Sequence, residues 1–126
     1  MDQPHRLAPA PDRGIVLTKA VLRAAERLGI SARKLAEIVG VSEATVSRWK
    51  RQEAALEAGS KPFQLAALFV RTFRSLDAIT GGDEAVARSW IMAPNTALSA
   101  RPIERMVTVQ GLVDVTAYLD GRRAPI

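Results

Sequence analysis

The chain has 126 residues, of which 48% are hydrophobic and 25% charged, a mixture typical of one ordinary globular domain or two small ones. It contains no cysteine, and its one histidine is His5, so disulfides, thiolate catalysis and cysteine zinc sites are excluded and no metal or cofactor chemistry is expected. The densest apolar run, residues 65–70, is far shorter than the roughly 18 residues that a membrane span requires. The N-terminus lacks the pattern of a secretory signal, and we expect a cytoplasmic protein.

The formal charge of +5 is unevenly placed along the chain. Residues 14–61 carry nine Lys and Arg against five Glu, whereas residues 62–126 carry seven against six acidic residues. This excess favours a polyanionic partner for the first half, although a moderate excess of this kind is also common on surfaces that bind nothing.

The elements begin after a proline-containing segment, residues 1–13, which we expect to be a disordered lead-in. Apolar residues then recur at helical spacing in every segment and strand signals are nearly absent, so the sequence predicts an all-α fold. The first helix carries a stripe that Gly29 ends, the second lies between Ser31 and Gly40, and the third begins after Ser42. The first stripe consists of Leu17, Val21, Ala24, Ala25 and Leu28.

A boundary is predicted at residues 57–62, which contain Gly, Ser and Pro, and it separates one domain at 14–61 from a second at 62–126. Four helices are expected in the second domain. They run from about Phe63 to Ile79, from the cap Asp83 to about Met92, from about Pro102, and from Gly111 to Gly121. The expected inward residues are Leu65, Leu68, Phe69, Thr72, Leu76 and Ile79 on the first of these, Val86, Trp90 and Ala93 on the second, and Leu112, Val115, Thr116 and Leu119 on the last.

Residues 32–51 satisfy the steric demands of a helix-turn-helix. Ala36 is small where two steeply crossing helices approach, and Gly40 tolerates the positive φ that the turn requires. Apolar residues fill the angle between the helices, namely Leu35, Val39, Val41, Val46 and Trp49. The second helix then enters a major groove of DNA in proteins that use this motif.

The outward face of that helix predicts the DNA-binding residues. They are Ser42, Glu43, Ala44, Thr45, Ser47, Arg48 and Arg51. Arg48 suits guanine O6 and N7, Glu43 suits cytosine N4, and Ala44 suits a thymine methyl. The alternative is a plain helical hairpin whose basic side chains lie in water.

The second half carries "GGD" (81–83), Trp90, "PN" (94–95), "AL" (97–98), Pro102, "GL" (111–112) and "VTAYLD" (115–120). Together with the preceding helix-turn-helix, this pattern resembles the Xre/MbcA/ParS antitoxins from about residue 15 onward. The family often has two glycines after the "AL" pair, where this chain has Ser99 and Ala100. The turn before Pro102 is therefore expected to differ in shape.

The resemblance implies a helix-turn-helix bundle followed by a small helical toxin-binding domain. It implies an antitoxin that neutralises a RES-domain toxin, an NAD⁺-depleting enzyme, and that represses its own operon on promoter DNA. The toxin-binding residues predicted on this basis are Tyr118, Gly121, Arg122 and Arg123. The tail after Gly121 either frays in solvent or becomes ordered on a partner.

Two other classes of function stay open. An enzyme is not expected, because the chain has no paired carboxylates in a recognisable pocket motif and we assign no catalytic residue. A stand-alone transcriptional regulator needs only the first half, with the second half as a dimerisation or ligand-sensing module. Whether the chain is an antitoxin or a stand-alone regulator, we expect a homo-oligomer, because one recognition helix reads few base pairs. The simplest form is a dimer joined through apolar residues of the fourth helix such as Phe63, Val70 and Phe73.

Overall fold

A computed structural model describes residues 12–123, which form seven α-helices. In chain order they are α1 (Arg13–Leu28), α2 (Ala32–Val39), α3 (Glu43–Lys50), α4 (Lys61–Ile79), α5 (Glu84–Met92), α6 (Pro102–Arg105) and α7 (Val109–Arg123). Within this part of the chain there is no β-strand, only an isolated bridge between Asn95 and Ala100. The predicted all-α fold is confirmed. None of the described helices is long and apolar enough to cross a membrane.

Side-chain caps fix where the first helices begin. Asp12, Ser31 and Ser42 each accept a hydrogen bond from the backbone N–H three residues later, which satisfies a donor that the helix itself leaves free. Gly29 and Gly40 end α1 and α2 with φ of 70° and 77°, the left-handed conformation that glycine adopts without steric cost. Helix α1 thus begins inside the predicted lead-in, whose residues 1–11 lie outside the described residues.

Helix α4 joins the two halves of the chain. It begins at Lys61, two residues before the predicted start, because Ser60 Oγ accepts from Phe63 N at 3.2 Å. Its buried face packs against α1 and α2 on one side and α7 on the other. One apolar core therefore runs through both halves, with Val21, Leu35, Val46, Phe69, Leu76, Leu112, Val115 and Leu119 at its centre.

Two glycines of α7 do not have the predicted roles. The helix begins at Val109, before Gly111, whose N–H donates to Thr108 Oγ1 at 3.0 Å. A Cβ on Gly111 would lie 1.8 Å from the carbonyl oxygen of Arg105, so this glycine permits α6 and α7 to approach. Gly121 does not end α7, which continues to Arg123. A Cβ there would meet nothing within 4 Å, and its φ is not positive.

The predicted inward stripe of α5 is wrong at two of its three residues, and only Trp90 is half-buried against the core. Val86 is 50% exposed and Ala93 is also exposed, whereas Ala87 and Ile91 are the buried residues, because α5 packs on α1 and α6 through that face. Ile79, expected inside, is 39% exposed at the last residue of α4, where the chain turns away from the core.

The proposed dimer surface is also corrected at one position. Val70 is only 5% exposed and belongs to the core of the monomer. Phe63 and Phe73 are half-buried, and the guanidinium carbons of Arg13 and Arg27 lie 5.4 and 5.2 Å from their ring centres. A dimer contact through Val70 would require its helix to leave the core.

Candidate functional site

The helix-turn-helix is formed by α2 and α3 with the geometry that the sequence predicts. Ala36 is 4% exposed where the helices approach. Val46 and Trp49 of α3 are at most 3% exposed and pack with Leu35 and Val39 of α2. Because these apolar residues fix the rotation of α3 about its axis, the opposite face of α3 points outward.

All seven predicted DNA-binding residues lie on or beside α3. Ser42, Glu43, Ala44, Arg48 and Arg51 are exposed, and Thr45 and Ser47 are half-buried. Ser42 caps the helix, and its Oγ lies 2.9 Å from Thr45 Oγ1. The Thr45 hydroxyl also accepts from Arg48 Nη2 at 3.2 Å, which holds this guanidinium over the first turn of α3.

The cations around α3 differ in their surroundings. Arg48 has no acidic partner among the described residues, whereas Arg51 Nε donates to Glu53 Oε2 at 3.2 Å. The side chain of Lys50 lies towards α1, where it lines clefts together with Leu22. Arg48 is therefore the α3 cation that is best placed to meet a base, since Arg51 is partly neutralised and Lys50 faces elsewhere.

A second group of side chains lies at the carboxyl end of α7, where Trp90 and Tyr118 are half-buried and Arg122 is exposed. The rings of Trp90 and Tyr118 stack with centroids 6.2 Å apart and an interplanar angle of 19°. Arg122 lies over the Tyr118 ring, with the guanidinium Cζ 5.6 Å from the ring centroid. Arg122 Nη1 also donates to Tyr118 Oη at 3.0 Å. Of the predicted toxin-binding residues, Tyr118, Gly121 and Arg122 thus lie together on successive turns of one helix. Helix α7 ends at Arg123, and the rest of the tail, residues 124–126, lies outside the described residues.

The turn before α6 contains Ser99, where the chain departs from the family pattern. Asn95 Oδ1 accepts from Leu98 N at 3.1 Å, and Pro102 occupies the first turn of α6. Ser99 has φ of 61°, a conformation that glycine adopts freely and other residues adopt at a cost. Ser99 therefore holds a left-handed backbone in this turn at a conformational cost.

Two anchors at this end of the molecule escaped the sequence reasoning. Asp120 pairs with Arg71 of α4 and accepts from Ser75 Oγ at 2.9 Å, which fixes the last turns of α7. Arg88 of α5 donates to the carbonyl oxygens of Arg27 and Glu26 at 2.9 and 3.0 Å and so caps the carboxyl end of α1. These pairs are 45 to 62 residues apart, and helical periodicity carries no signal for them.

The fold defines a helix-turn-helix protein with a second, helical region that carries its own group of surface side chains. Residues 8–71 match the family model of the antitoxin Xre-like helix-turn-helix domain, and residues 75–124 match that of the antitoxin Xre/MbcA/ParS C-terminal toxin-binding domain. The chain belongs to the Xre/MbcA/ParS antitoxin family, as the sequence predicted.

A solved structure has a similar fold. It is a chain in the crystal structure of the M. tuberculosis MbcT–MbcA toxin–antitoxin complex, with a TM-score of 0.65 and 23% sequence identity. The match covers 84% of the present chain and 92% of that chain. At this identity the likeness shows the fold alone. No curated protein matches the chain.

Proposed function

We propose that this antitoxin binds and neutralises a RES-domain toxin that depletes NAD⁺ and represses its own operon by binding promoter DNA. The proposal rests on the match of the chain to both family domains. The two candidate surfaces, on α3 and on α7, share no residue, so each can serve one of the two activities. A chain of similar fold occurs in the M. tuberculosis toxin–antitoxin complex, and this supports a toxin as the partner. The protein acts by binding, without catalysis or a cofactor, in the cytoplasm.

On DNA, α3 lies in the major groove. Arg48 donates two parallel hydrogen bonds to a guanine, and Glu43 and Ala44 read neighbouring positions through a cytosine amine and a thymine methyl. Ser42, Thr45, Ser47 and Arg51 contact phosphate or base, and the free N–H groups at the start of α3 favour a nearby phosphate. Two copies bind paired half-sites, because one helix of 8 residues reads too few base pairs for an operator.

On the toxin, the carboxyl end of α7 covers the entrance of the active site. The aromatic stack holds Arg122 in a defined position before binding, so little side-chain entropy is lost when the guanidinium meets its partner. A site that binds a dinucleotide presents phosphate-binding and acidic groups, and Arg122 and Arg123 supply opposite charge to such acidic groups. Tyr118 and Gly121 complete this contact surface.

Two variants separate the proposed activities. Arg48→Ala/Arg51→Ala should lose the gel shift on the gene's own promoter but still rescue the growth of cells that express the toxin from the adjacent gene. Arg122→Glu/Arg123→Glu should keep the gel shift on the promoter but fail to rescue growth. It should rescue growth less than Arg122→Ala/Arg123→Ala does, because charge reversal adds repulsion to the lost attraction. If the wild-type chain shifts the promoter but neither binds the adjacent gene's product nor rescues growth, the protein is a stand-alone regulator.

A further inference from the structure

A basic cleft of about 490 Å³ lies between α1 and α4, and none of its lining residues belongs to α2 or α3. Its floor is apolar and its rim carries Lys19 and Arg23 of α1 and Arg74 of α4. The floor consists of Ala20, Ala24, Val70 and Phe73. We name this surface the α1/α4 cleft.

The charges of the α1/α4 cleft are unbalanced. No acidic residue lines it, and Lys19, Arg23 and Arg74 are all exposed and form no ion pair among the described residues. The arginines beside them are different, because Arg27 pairs with acidic residues of α4 and α5 and Arg71 pairs with Asp120. Three unpaired cations around one cleft make a positive potential that selects an anionic partner.

The floor distinguishes between two kinds of anion. A phosphodiester backbone placed on apolar carbon would lose hydration without gaining hydrogen bonds. A protein segment can instead insert an apolar side chain into the cleft while its carboxylates meet the three cations. The chemistry therefore favours an acidic, partly apolar protein segment over DNA.

The position of the cleft indicates which protein carries that segment. Arg74 lies one turn beyond Arg71 on α4, and Arg71 pairs with Asp120, which directly precedes the exposed Gly121 in the last turn of α7. The cleft and the carboxyl end of α7 are thus neighbours on α4. We infer that the α1/α4 cleft is a second docking surface for the toxin, taking an acidic segment that carries an apolar side chain. This inference rests on the proposed toxin-binding function and extends the contact to the DNA-binding half.

The test measures binding of the full-length antitoxin to the toxin encoded by the adjacent gene. Arg23→Glu/Arg74→Glu should slow association about tenfold at low salt, and the difference from wild type should shrink as salt screens the charges. Lys61→Glu/Arg101→Glu, which reverses two exposed cations outside the cleft, should leave the rate within about twofold. Ala20→Trp, which fills the floor without a change of charge, should speed dissociation at every salt concentration.

Thermal unfolding of each variant excludes loss of folding, and Arg23→Gln/Arg74→Gln replaces the reversal variant if that variant is unstable. Wild-type rates for the cleft variants overturn the inference alone, whereas failure of the wild-type chain to bind the toxin overturns the proposed function as well. A parallel loss of promoter binding would show that the cleft holds DNA. A change in the sedimentation of free antitoxin would show that it holds a second copy.

Discussion

The same substitution at two glycines of α7 should have opposite effects on stability. At Gly111 an alanine Cβ would lie 1.8 Å from a backbone carbonyl oxygen of α6, and no side-chain rotation can relieve this contact. The two helices would have to separate by roughly 1 Å or more, and forced shifts of this kind in a packed core cost about 1–3 kcal/mol or more. At Gly121 a Cβ meets nothing within 4 Å, and alanine removes the entropic penalty of a helical glycine, a gain of about 0.5 kcal/mol near a fraying helix end.

Urea unfolding of Gly111→Ala and Gly121→Ala measures both effects with the same protein and probe. Gly111→Ala should lower the free energy of unfolding by about 1–3 kcal/mol or more, and Gly121→Ala should raise it slightly. Toxin affinity should fall for Gly121→Ala despite its stability if the toxin packs against this glycine. Equal effects at the two positions would refute the close approach of α6 and α7.

Three further predictions concern single residues. Arg48→Ala should weaken binding to the operator by about 1–3 kcal/mol relative to random DNA in a gel-shift titration, whereas Lys50→Ala should not change this ratio, because Lys50 faces α1. Ser99→Gly should raise the free energy of unfolding by about 0.5 kcal/mol, since glycine adopts the φ of 61° without strain. The control Ala97→Gly should lower the free energy of unfolding, and a decrease with Ser99→Gly would contradict the strained turn. Arg88→Met should lower the free energy of unfolding by about 1 kcal/mol in thermal unfolding, because two hydrogen bonds to the carbonyls of α1 are lost. The loss stays small because water replaces the guanidinium at these exposed carbonyls. No change would mean that the cap contributes nothing.

The local structure could be predicted because its signals are local. Ser31 and Ser42 cap helices, and Gly40 adopts the left-handed turn that the helix-turn-helix needs, all within a few residues of the chain. The same local reading failed for Gly111, because a glycine that permits helix contact looks identical in sequence to one that precedes a helix. It failed for Val86 as well, since α5 is short and its buried face depends on where α1 and α6 lie.

The candidate surfaces show the same division. The residues on the outward face of α3 could be assigned in advance, because the apolar Val46 and Trp49 of the same helix point inward. The support beneath α7 could not, because the pairing of Asp120 with Arg71 joins positions 49 residues apart. The basic excess of the first half was visible in the sequence, but the cleft that brings Lys19 and Arg23 close to Arg74 of the second half depends on the packing of two helices.

The most direct test of the central claim uses a chain that ends at Asp120, which retains the contacts of Asp120 with α4 but lacks Gly121, Arg122 and Arg123. Growth and NAD⁺ level are measured in cells that express the adjacent toxin gene together with either the full or the shortened chain, and promoter binding of both chains is measured by gel shift. The account predicts that the shortened chain binds the promoter like the full chain but leaves NAD⁺ depleted and growth arrested. Full protection by the shortened chain would contradict neutralisation through the carboxyl end of α7.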